Sequence, residues 1–459
     1  MTIPTISLPI AVRPCLRPLA AGVLALSAAA FSGAAQAGDE VKVLLEILLE
    51  KGILTQQEYD SKLKKLVEAE EVRAFNEAQD VRKVTQESER RAEAERKYKT
   101  QVYGQVSAGY YDASNMKGSD SASGMSDQPK GNNRIGLRVT REIDANTSAV
   151  VTLESNFSAR TGAVGKDAAS SGTGESPLLD REASVRLVSK PYGTLLFGRG
   201  PTLQNDLSSA FDARQNWNFG GLKSVARYAG FHSSGGLNRA DKLIRYTSPE
   251  FGGVTLDGGV SLAGIPGSDE RGNHYYFGGR YKNGGFEAAY SHIEARLGYG
   301  TPTVIPDETN NRVDFFAAKY TIDKLTLNAG YAMTRNPLLS NATLSTTVPS
   351  GKADVDTWFA GAVYRLLPEL SANVGLYQVK DKTSTRGLND LRMVATGLTW
   401  SPYKDWDFFV DYATVDRKDG ATAMFSIYDA WRPDTGNKTV QSVSTRDQSG
   451  ISIGAQYKF

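Results

Sequence analysis

The last ten residues of the chain, Gly450-Ile451-Ser452-Ile453-Gly454-Ala455-Gln456-Tyr457-Lys458-Phe459, alternate apolar side chains with polar or small ones. Because successive side chains of an extended strand point to opposite faces, this stretch places its large apolar residues on one face. Such a face needs a hydrophobic core in water, whereas in a membrane barrel it meets lipid and the other face meets the interior. The stretch therefore favours a strand of a transmembrane barrel.

The same alternation recurs along the chain, for example at 254–261, 325–331 and 370–376. Counting such segments gives sixteen predicted strands, near residues 102–110, 132–141, 147–157, 180–188, 193–199, 240–248, 253–262, 273–282, 286–293, 312–320, 325–333, 355–364, 370–378, 391–400, 406–415 and 450–459. Aromatic residues near strand ends predict interfacial girdles: Tyr110, Tyr111, Trp358, Trp400, Tyr403 and Trp406.

Short connections such as 283–285 alternate with long ones such as 200–239, as in outer-membrane barrels. A spacing of about 20 residues per strand exceeds the roughly 8–12 of a soluble sandwich. The sequence shows no repeat of fixed length, whereas the blades of a propeller would produce one. We therefore predict an all-β fold over 101–459, a 16-stranded antiparallel transmembrane β-barrel. The helical residues before it would lie on the short-turn, periplasmic side.

Residues 1–37 have the pattern of a secretory signal peptide. Arg13 and Arg17 precede an apolar run that is too short to span a bilayer, and Ala35-Gln36-Ala37 fits a cleavage site. Cys15 is the only cysteine, so the mature chain has no thiol for disulfides, metal ligation or nucleophilic catalysis. Removal of the signal leaves 51 basic residues against 51 acidic ones, a balance that disfavours nucleic-acid binding.

Residues 38–100 form a segment of different composition, rich in Glu, Lys, Arg, Leu and Ala. Gly52 separates a short apolar helix from a long one, which Thr55 and Glu58 open with a capping box. Val67, Ala74, Ala78, Val81 and Ala92 occupy loose heptad positions, which polar residues interrupt. The segment is predicted as a periplasmic helical hairpin. A trimeric coiled coil, a peptidoglycan or envelope tether and a solvated appendage stay open.

Six elements, in order, resemble the general porins of Gram-negative bacteria, especially the betaproteobacterial trimeric type. They are Val102-Tyr103-Gly104-Gln105-Val106, Asn133-Arg134-Ile135-Gly136-Leu137, Asp180-Arg181-Glu182-Ala183, Gly193-Thr194-Leu195-Leu196-Phe197-Gly198-Arg199, Tyr246-Thr247-Ser248-Pro249-Glu250-Phe251-Gly252-Gly253 and Tyr457-Lys458-Phe459. The turn at 141–146 and the helical segment depart from the family pattern.

The resemblance implies a homotrimer in the outer membrane, in contact with lipid and lipopolysaccharide, and assembled by the barrel-assembly machinery with Phe459 as its signal. It also implies a pore narrowed by the third long loop, about Gly200 to Asn238. Acids of this loop, Asp206 and Asp212, would face a basic wall. No cofactor or metal is implied.

Strand parity supplies the candidate wall residues. If the apolar partners face lipid, the lumen receives Arg134, Arg138, Arg186, Arg239 and Arg245. Arg199 matches a basic position of the family, but it shares the phase of Leu195 and Phe197. It reaches the lumen only if the strand ends or bulges there, and Arg181 has the same difficulty.

These observations predict a passive channel for ions and small hydrophilic solutes. A sugar- or phosphate-selective porin and a barrel-anchored adhesin or envelope tether are the alternatives. Catalysis is disfavoured, because His232, His274 and His292 belong to no recognised catalytic or metal-binding motif.

Overall fold

The structure is a computed structural model, and it describes residues 40–96, 98–117, 120–160, 162–165, 178–215, 217–231, 238–264, 272–296, 311–335, 354–382, 389–418, 425, 427 and 446–459. The predicted signal peptide (1–37) lies outside these residues, as does His232. The chain divides into two compact units, Met1–Arg96 and Lys97–Phe459.

The first unit is a helical hairpin of α1 (40–50) and α2 (Gln56–Arg96). Gly52 lies between them with φ 68°, a left-handed conformation that glycine adopts without strain. Leu45 is buried, and the Lys42 ammonium lies 3.2 Å from the Glu70 carboxylate, which joins the two helices. Among the helices that the structure describes, none is long and apolar enough to cross a membrane.

The predicted capping box is present at the start of α2. The Thr55 backbone N–H and hydroxyl donate to Glu58 Oε2 at 3.0 and 2.9 Å, and the Glu58 N–H donates to the Thr55 hydroxyl. The backbone hydrogen bond, followed by that from the hydroxyl, holds the pKa of the Glu58 carboxyl below its usual value. Donor and acceptor groups at this exposed helix end are thereby satisfied.

The second unit is a closed antiparallel sheet. Its strands are β1 (Tyr98–Lys117), β2 (Asp120–Asp127), β3 (Arg134–Glu142), β4 (Thr147–Asn156), β5 (Glu182–Ser189), β6 (Gly193–Pro201), β7 (Arg239–Thr247), β8 (Val254–Ser261), β9 (His274–Asn283), β10 (Phe286–Ala295), β11 (Asn311–Ile322), β12 (Leu325–Arg335), β13 (Asp354–Leu367), β14 (Leu370–Asp381), β15 (Leu391–Tyr403), β16 (Trp406–Arg417) and β17 (Gln448–Lys458). From β3 onward, neighbours along the chain pair antiparallel, and β1 closes the barrel on β17.

Seventeen strands form sixteen barrel positions because β2 and β3 share one. The first half of β1 pairs with β3, from Tyr98↔Arg141 to Gln105↔Arg134, and its second half pairs with β2, from Ala108↔Asp127 onward. The prediction of a 16-stranded antiparallel barrel is confirmed. The sequence analysis had assigned 111–131 to a connection, whereas β2 lies within it.

The outward face follows the predicted alternation. On β17, Ile451, Ile453 and Tyr457 are exposed, whereas Ser452 and Gln456 are buried. Aromatic rings cluster outward near the short turns, where Trp406 stacks on Phe408 with centroids 5.8 Å apart. Tyr111 differs from the prediction, because only 7% of it is exposed and it belongs to the internal core.

Replacement of Ile453 by Arg would place a guanidinium on the lipid-facing surface. We expect a loss of about 2–4 kcal/mol in unfolding free energy, as for arginine at mid-bilayer positions of membrane barrels. Urea unfolding of barrels refolded into vesicles measures this loss. Asp405→Arg in the exposed turn before β16 is the control, expected within about 0.5 kcal/mol of the wild type. Equal losses in both variants would contradict the assignment of the outward face.

Candidate functional site

The segment between β6 and β7 folds into the barrel. We call residues 202–238 the inner loop, of which 202–215, 217–231 and 238 are described. It contains α3 (Leu203–Phe211) and α4 (Leu222–Ala229). Helix α3 packs against β9–β12, and α4 packs against β13 and β14. The loop therefore covers the inner wall over the second half of the barrel.

An apolar core joins this loop to the wall. From the loop, Leu207, Phe211, Leu222, Val225 and Phe231 are fully buried. Facing wall residues are equally buried: Val313, Phe315, Ala332, Val355, Val379, Met393 and Val415. Each large apolar side chain buried in this way contributes about 1.5–3 kcal/mol. Among the described residues, this part of the lumen is consequently packed like a protein interior.

Gly220 shows how closely the loop approaches the wall. Its φ is 61°, and a Cβ added there would lie 2.8 Å from Ala413 Cβ and 2.9 Å from Ala395 Cβ. Its N–H donates to the Ile427 carbonyl at 2.8 Å, so the connection before β17 also reaches the loop. Only glycine fits this backbone path without displacing the wall.

A buried ion pair anchors the middle of the loop. Arg214, whose side chain is fully buried, lies 2.9 Å from Asp411 on β16 and donates to Asn373 Oδ1 on β14 at 2.5 Å. Its guanidinium also lies 4.9 Å from the centre of the Trp217 ring. Because a buried charge without its partner is costly, this pair fixes the loop to two strands.

Asp212, which we predicted as a pore charge, lies at the same anchor. Its carboxylate accepts hydrogen bonds from the Tyr377 hydroxyl at 2.7 Å and from the Leu222 N–H at 3.1 Å. Only 4% of the residue is exposed. In this position it caps α4 and joins the loop to β14.

Asp206, the second predicted loop acid, lies in the first turn of α3 and pairs with Arg245 at 2.8 Å. Arg245 also binds Asp257 on β8 with both Nε and Nη2, and donates through Nη1 to the Pro201 carbonyl at 2.9 Å. Arg245 projects inward, as parity predicts, but its donors hold α3 against the wall.

A second inward segment, the inner turn (128–133), joins β2 to β3. Its Pro129 carbonyl accepts from the N–H groups of Asn218 and Phe219 at 3.1 and 3.2 Å. Lys130 lies 3.3 Å from Asp407 on β16, with its ammonium 4.7 Å from the Trp217 ring centre. The turn and the loop therefore support each other inside the barrel.

The remaining wall, β3–β7, carries a basic cluster. Arg181 and Arg134 both bind Glu154 of β4, with Nε–Oε distances of 2.5 and 3.5 Å, and Arg181 also donates to Asn156 at 3.0 Å. Arg181 escapes the unfavourable strand phase because β5 begins only at Glu182.

Two more of the predicted arginines extend this wall. Arg186 lies on β5 and binds Glu182 at 2.5 Å. Arg138 lies on β3 with its guanidinium 5.0 Å from the Tyr103 ring centre. Both occupy inward phases, opposite the exposed Leu137 and Val185.

Arg199 lies at a strand irregularity, which is the condition under which it was predicted to reach the lumen. The β6–β7 register shifts between Gly198 and Gly200, where β7 contributes an extra residue. Arg199 nevertheless pairs with Ala183 of β5, in the outward phase. It donates to the Asp180 carbonyl at 2.8 Å and pairs with the exposed Asp241 at 2.5 Å. Its side chain is thus held at the end of the strand.

Arg239, at the start of β7, differs from the other members of the cluster. Its one hydrogen bond joins Nη1 to Asn238 Oδ1 at 3.5 Å, and its buried Nε has no partner. No carboxylate among the described residues forms an ion pair with it. Arg181, Glu154 and Arg199 are close enough to act on it electrostatically. The cluster therefore has an excess of one positive charge. Its five basic residues are Arg134, Arg181, Arg186, Arg199 and Arg239, and its four acidic residues are Asp180, Glu154, Glu182 and Asp241.

Sequence reasoning overlooked Glu154, the acid shared by Arg134 and Arg181. Its inward phase, opposite Leu153 and the exposed Val151, was a usable signal. The Arg214–Asp411 pair carried no such signal, because its members are 197 positions apart and meet only when the loop folds inward. Within the described residues, no cluster of His, Cys, Asp or Glu could hold a metal ion.

A family model for Gram-negative porins matches residues 22–420. The chain belongs to the Gram-negative porin family. It is therefore an outer-membrane β-barrel that forms a channel for the passive diffusion of ions and small hydrophilic solutes.

Solved porins share the fold. The anion-selective porin from Comamonas acidovorans matches with a TM-score of 0.63 and 16% identity over 79% of this chain and all of that chain. The trimer form of Vibrio cholerae OmpT gives 0.52 and 15% over 79% and 99%. Salmonella typhi OmpF in complex with daunomycin gives 0.52 and 16% over 79% and 98%. No curated protein matches the sequence.

Replacement of Arg214 by Met should destabilise this porin by about 3–5 kcal/mol, because Asp411 would stay buried without its cation. The loop would also detach more often, which we expect to see as a noisier, larger single-channel conductance. The double variant Arg214→Met/Asp411→Asn removes both charges and should recover most of the stability. If the double variant is as unstable as the single one, the ion pair is not the anchor.

Proposed function

We propose that this porin favours small anions and that Arg239 supplies much of the field that selects them. The observation that carries the proposal is that no carboxylate of the described residues pairs with Arg239, in a cluster where the other arginines bind carboxylates. An uncompensated charge in a narrow, low-dielectric passage attracts counter-ions more strongly than the same charge in open water.

In the proposal, the acidic residues of the inner loop do not cancel the positive charge of Arg239. Asp206 is neutralised by Arg245, and Asp212 is buried under hydrogen bonds from Tyr377 and Leu222. On the wall, Arg138 adds a second cation, which among the described residues contacts the Tyr103 ring rather than a carboxylate. The constriction would therefore lie between the inner loop and the β3–β7 wall, with a positive excess on the wall.

The structural neighbour named as an anion-selective porin supports this preference, since it shares the same barrel. In the proposal, some of the predicted constriction residues produce the field and others stabilise the structure. Arg239, Arg134 and Arg138 set the field, together with Arg181. Arg186 is balanced by Glu182, Arg199 is held at the strand end, and Arg245 anchors α3.

Replacement of Arg239 by Gln should lower the chloride-to-potassium permeability ratio by about two- to fivefold, which corresponds to the removal of roughly 1 kcal/mol of attraction. The reversal potential in a KCl gradient measures the ratio. Arg392→Gln is the matched control, because Arg392 is an exposed arginine in the outward phase of β15. An Arg239 variant with the wild-type reversal potential would contradict the assignment.

We also propose that the porin is a trimer, with the signal peptide removed and the helical unit in the periplasm. The trimer form of a structural neighbour supports this assembly. On α2, Val67 and Val81 are 39% and 49% exposed although both are apolar. Two further copies of the helix would cover these side chains, as in a trimeric coiled coil. A peptidoglycan contact would use the polar faces of the same helices.

A Val81→Cys variant tests the coiled coil, because the mature chain has no other cysteine. Mild oxidation of the native protein should yield a disulfide-linked dimer band on denaturing gels. Arg82→Cys is the control: its exposed position is adjacent but outside the heptad seam, so it should cross-link far less. Equal cross-linking of the two variants, or none in either, would exclude the coil.

A further inference from the structure

A cavity of about 300 Å³ lies beside the first turn of α3, on the inner face of β7–β9. The residues that line it are Leu203, Asp206, Arg245, Thr247, Thr255, Asp257, Gly279 and Arg280. At roughly 30 Å³ per liquid water molecule, this volume holds about ten waters. A small organic solute therefore fits, and four of the eight lining residues are ionisable: Asp206, Arg245, Asp257 and Arg280.

Arg245, although it lines the cavity, already uses all three of its guanidinium nitrogens in contacts within the protein. Nε and Nη2 bind Asp257, Nη2 also binds Asp206, and Nη1 donates to the Pro201 carbonyl. Thr247 donates to Asp257 at 2.6 Å and completes that carboxylate's set of hydrogen bonds. This side of the cavity is thus internally satisfied and serves as a rigid wall.

Arg280 is the opposite case. It lies on β9 in the inward phase, between Thr255 of β8 and Ala289 of β10 in the ladder. Among the described residues, none forms an ion pair, hydrogen bond or ring contact with its guanidinium. A guanidinium offers five N–H donors in a planar fork that matches an oxyanion. The cavity therefore contains one unused cation, and it is partly exposed.

Two further groups at the cavity have unused hydrogen-bonding capacity. The hydroxyl of Thr255, directly across the ladder from Arg280, has no partner among the described residues. The Asp206 carboxylate binds Arg245 through Oδ2, while Oδ1 accepts only a 3.2 Å hydrogen bond from its neighbour Asn205. An anion receptor, a hydroxyl and an acceptor consequently line the same small space.

We propose that this cavity binds a small carboxylate that also carries a hydroxyl or ammonium group, with the carboxylate on Arg280 and Thr255 and the donor group directed to Asp206. Neither Arg239 nor any other member of the basic cluster lines this site. It would hold solutes briefly beside α3 during passage, and so it gives the channel a preferred solute class. The site presupposes the channel but does not depend on the anion preference of the cluster.

Equilibrium binding of lactate to the detergent-solubilised, full-length protein tests the site without any need for conduction. Isothermal titration calorimetry should detect lactate binding to the wild type and a weaker signal for acetate, which lacks the donor. Arg280→Gln should weaken lactate binding by about tenfold or more, because it removes a charge-assisted hydrogen-bonded pair. Arg280→Lys should lie between the two, and Arg392→Gln on the outer face should match the wild type.

Thr255→Val provides a second variant that removes only a hydroxyl, and it should weaken lactate binding without a change in fold. Gel mobility of unheated samples shows that each variant is folded. No lactate binding by the wild type, or unchanged binding by folded Arg280→Gln, would overturn the proposal. The reversal potential is measured separately, so a channel without anion preference that still binds lactate would refute only the role of Arg239.

Discussion

The packing of the inner loop against an apolar strip of the barrel wall is the constraint on which the rest of the channel depends. A barrel of sixteen strands encloses more space than its own side chains can fill. Here Leu207, Phe211 and Val225 fill part of that space against Phe315 and its neighbours. Without this packing the loop would not bring Arg214 to Asp411, and the lumen would have no narrow passage.

The packing divides the interior into two chemically different halves. Inward residues of β10–β17 are largely buried and include the apolar strip that meets the inner loop, whereas those of β3–β9 include most of the partly exposed arginines. In the proposal, solutes pass along this second wall and its charges select among them. Among the described residues, most cations on that wall pair with a carboxylate, whereas Arg239, Arg138 and Arg280 do not. We propose that the paired charges stabilise the wall and that these three arginines attract the solute.

The outward half of this design could be predicted from the sequence, and much of the inward half could not. Contact with lipid requires an apolar residue at every second position of a strand, so the sequence pattern alone showed that Ile453 and Leu376 face outward. Parity also placed Arg134, Arg138, Arg186 and Arg245 inward. It could not show that Arg245 also binds Asp206, because that contact forms only when the inner loop folds into the barrel. Tyr111 was misassigned because it directly follows Tyr110: consecutive strand residues point to opposite faces, and Tyr111 belongs to the internal core.

The reversal potential of the wild-type protein in a planar bilayer, under a roughly tenfold KCl gradient, tests the central claim most directly. The account predicts open channels and a potential of the sign that indicates chloride preference, weakened as ionic strength rises and screens the unpaired arginines. A potential that indicates potassium preference would contradict it, because the acids of the inner loop and wall would then outweigh Arg239. A folded barrel with no conductance would contradict the open passage itself.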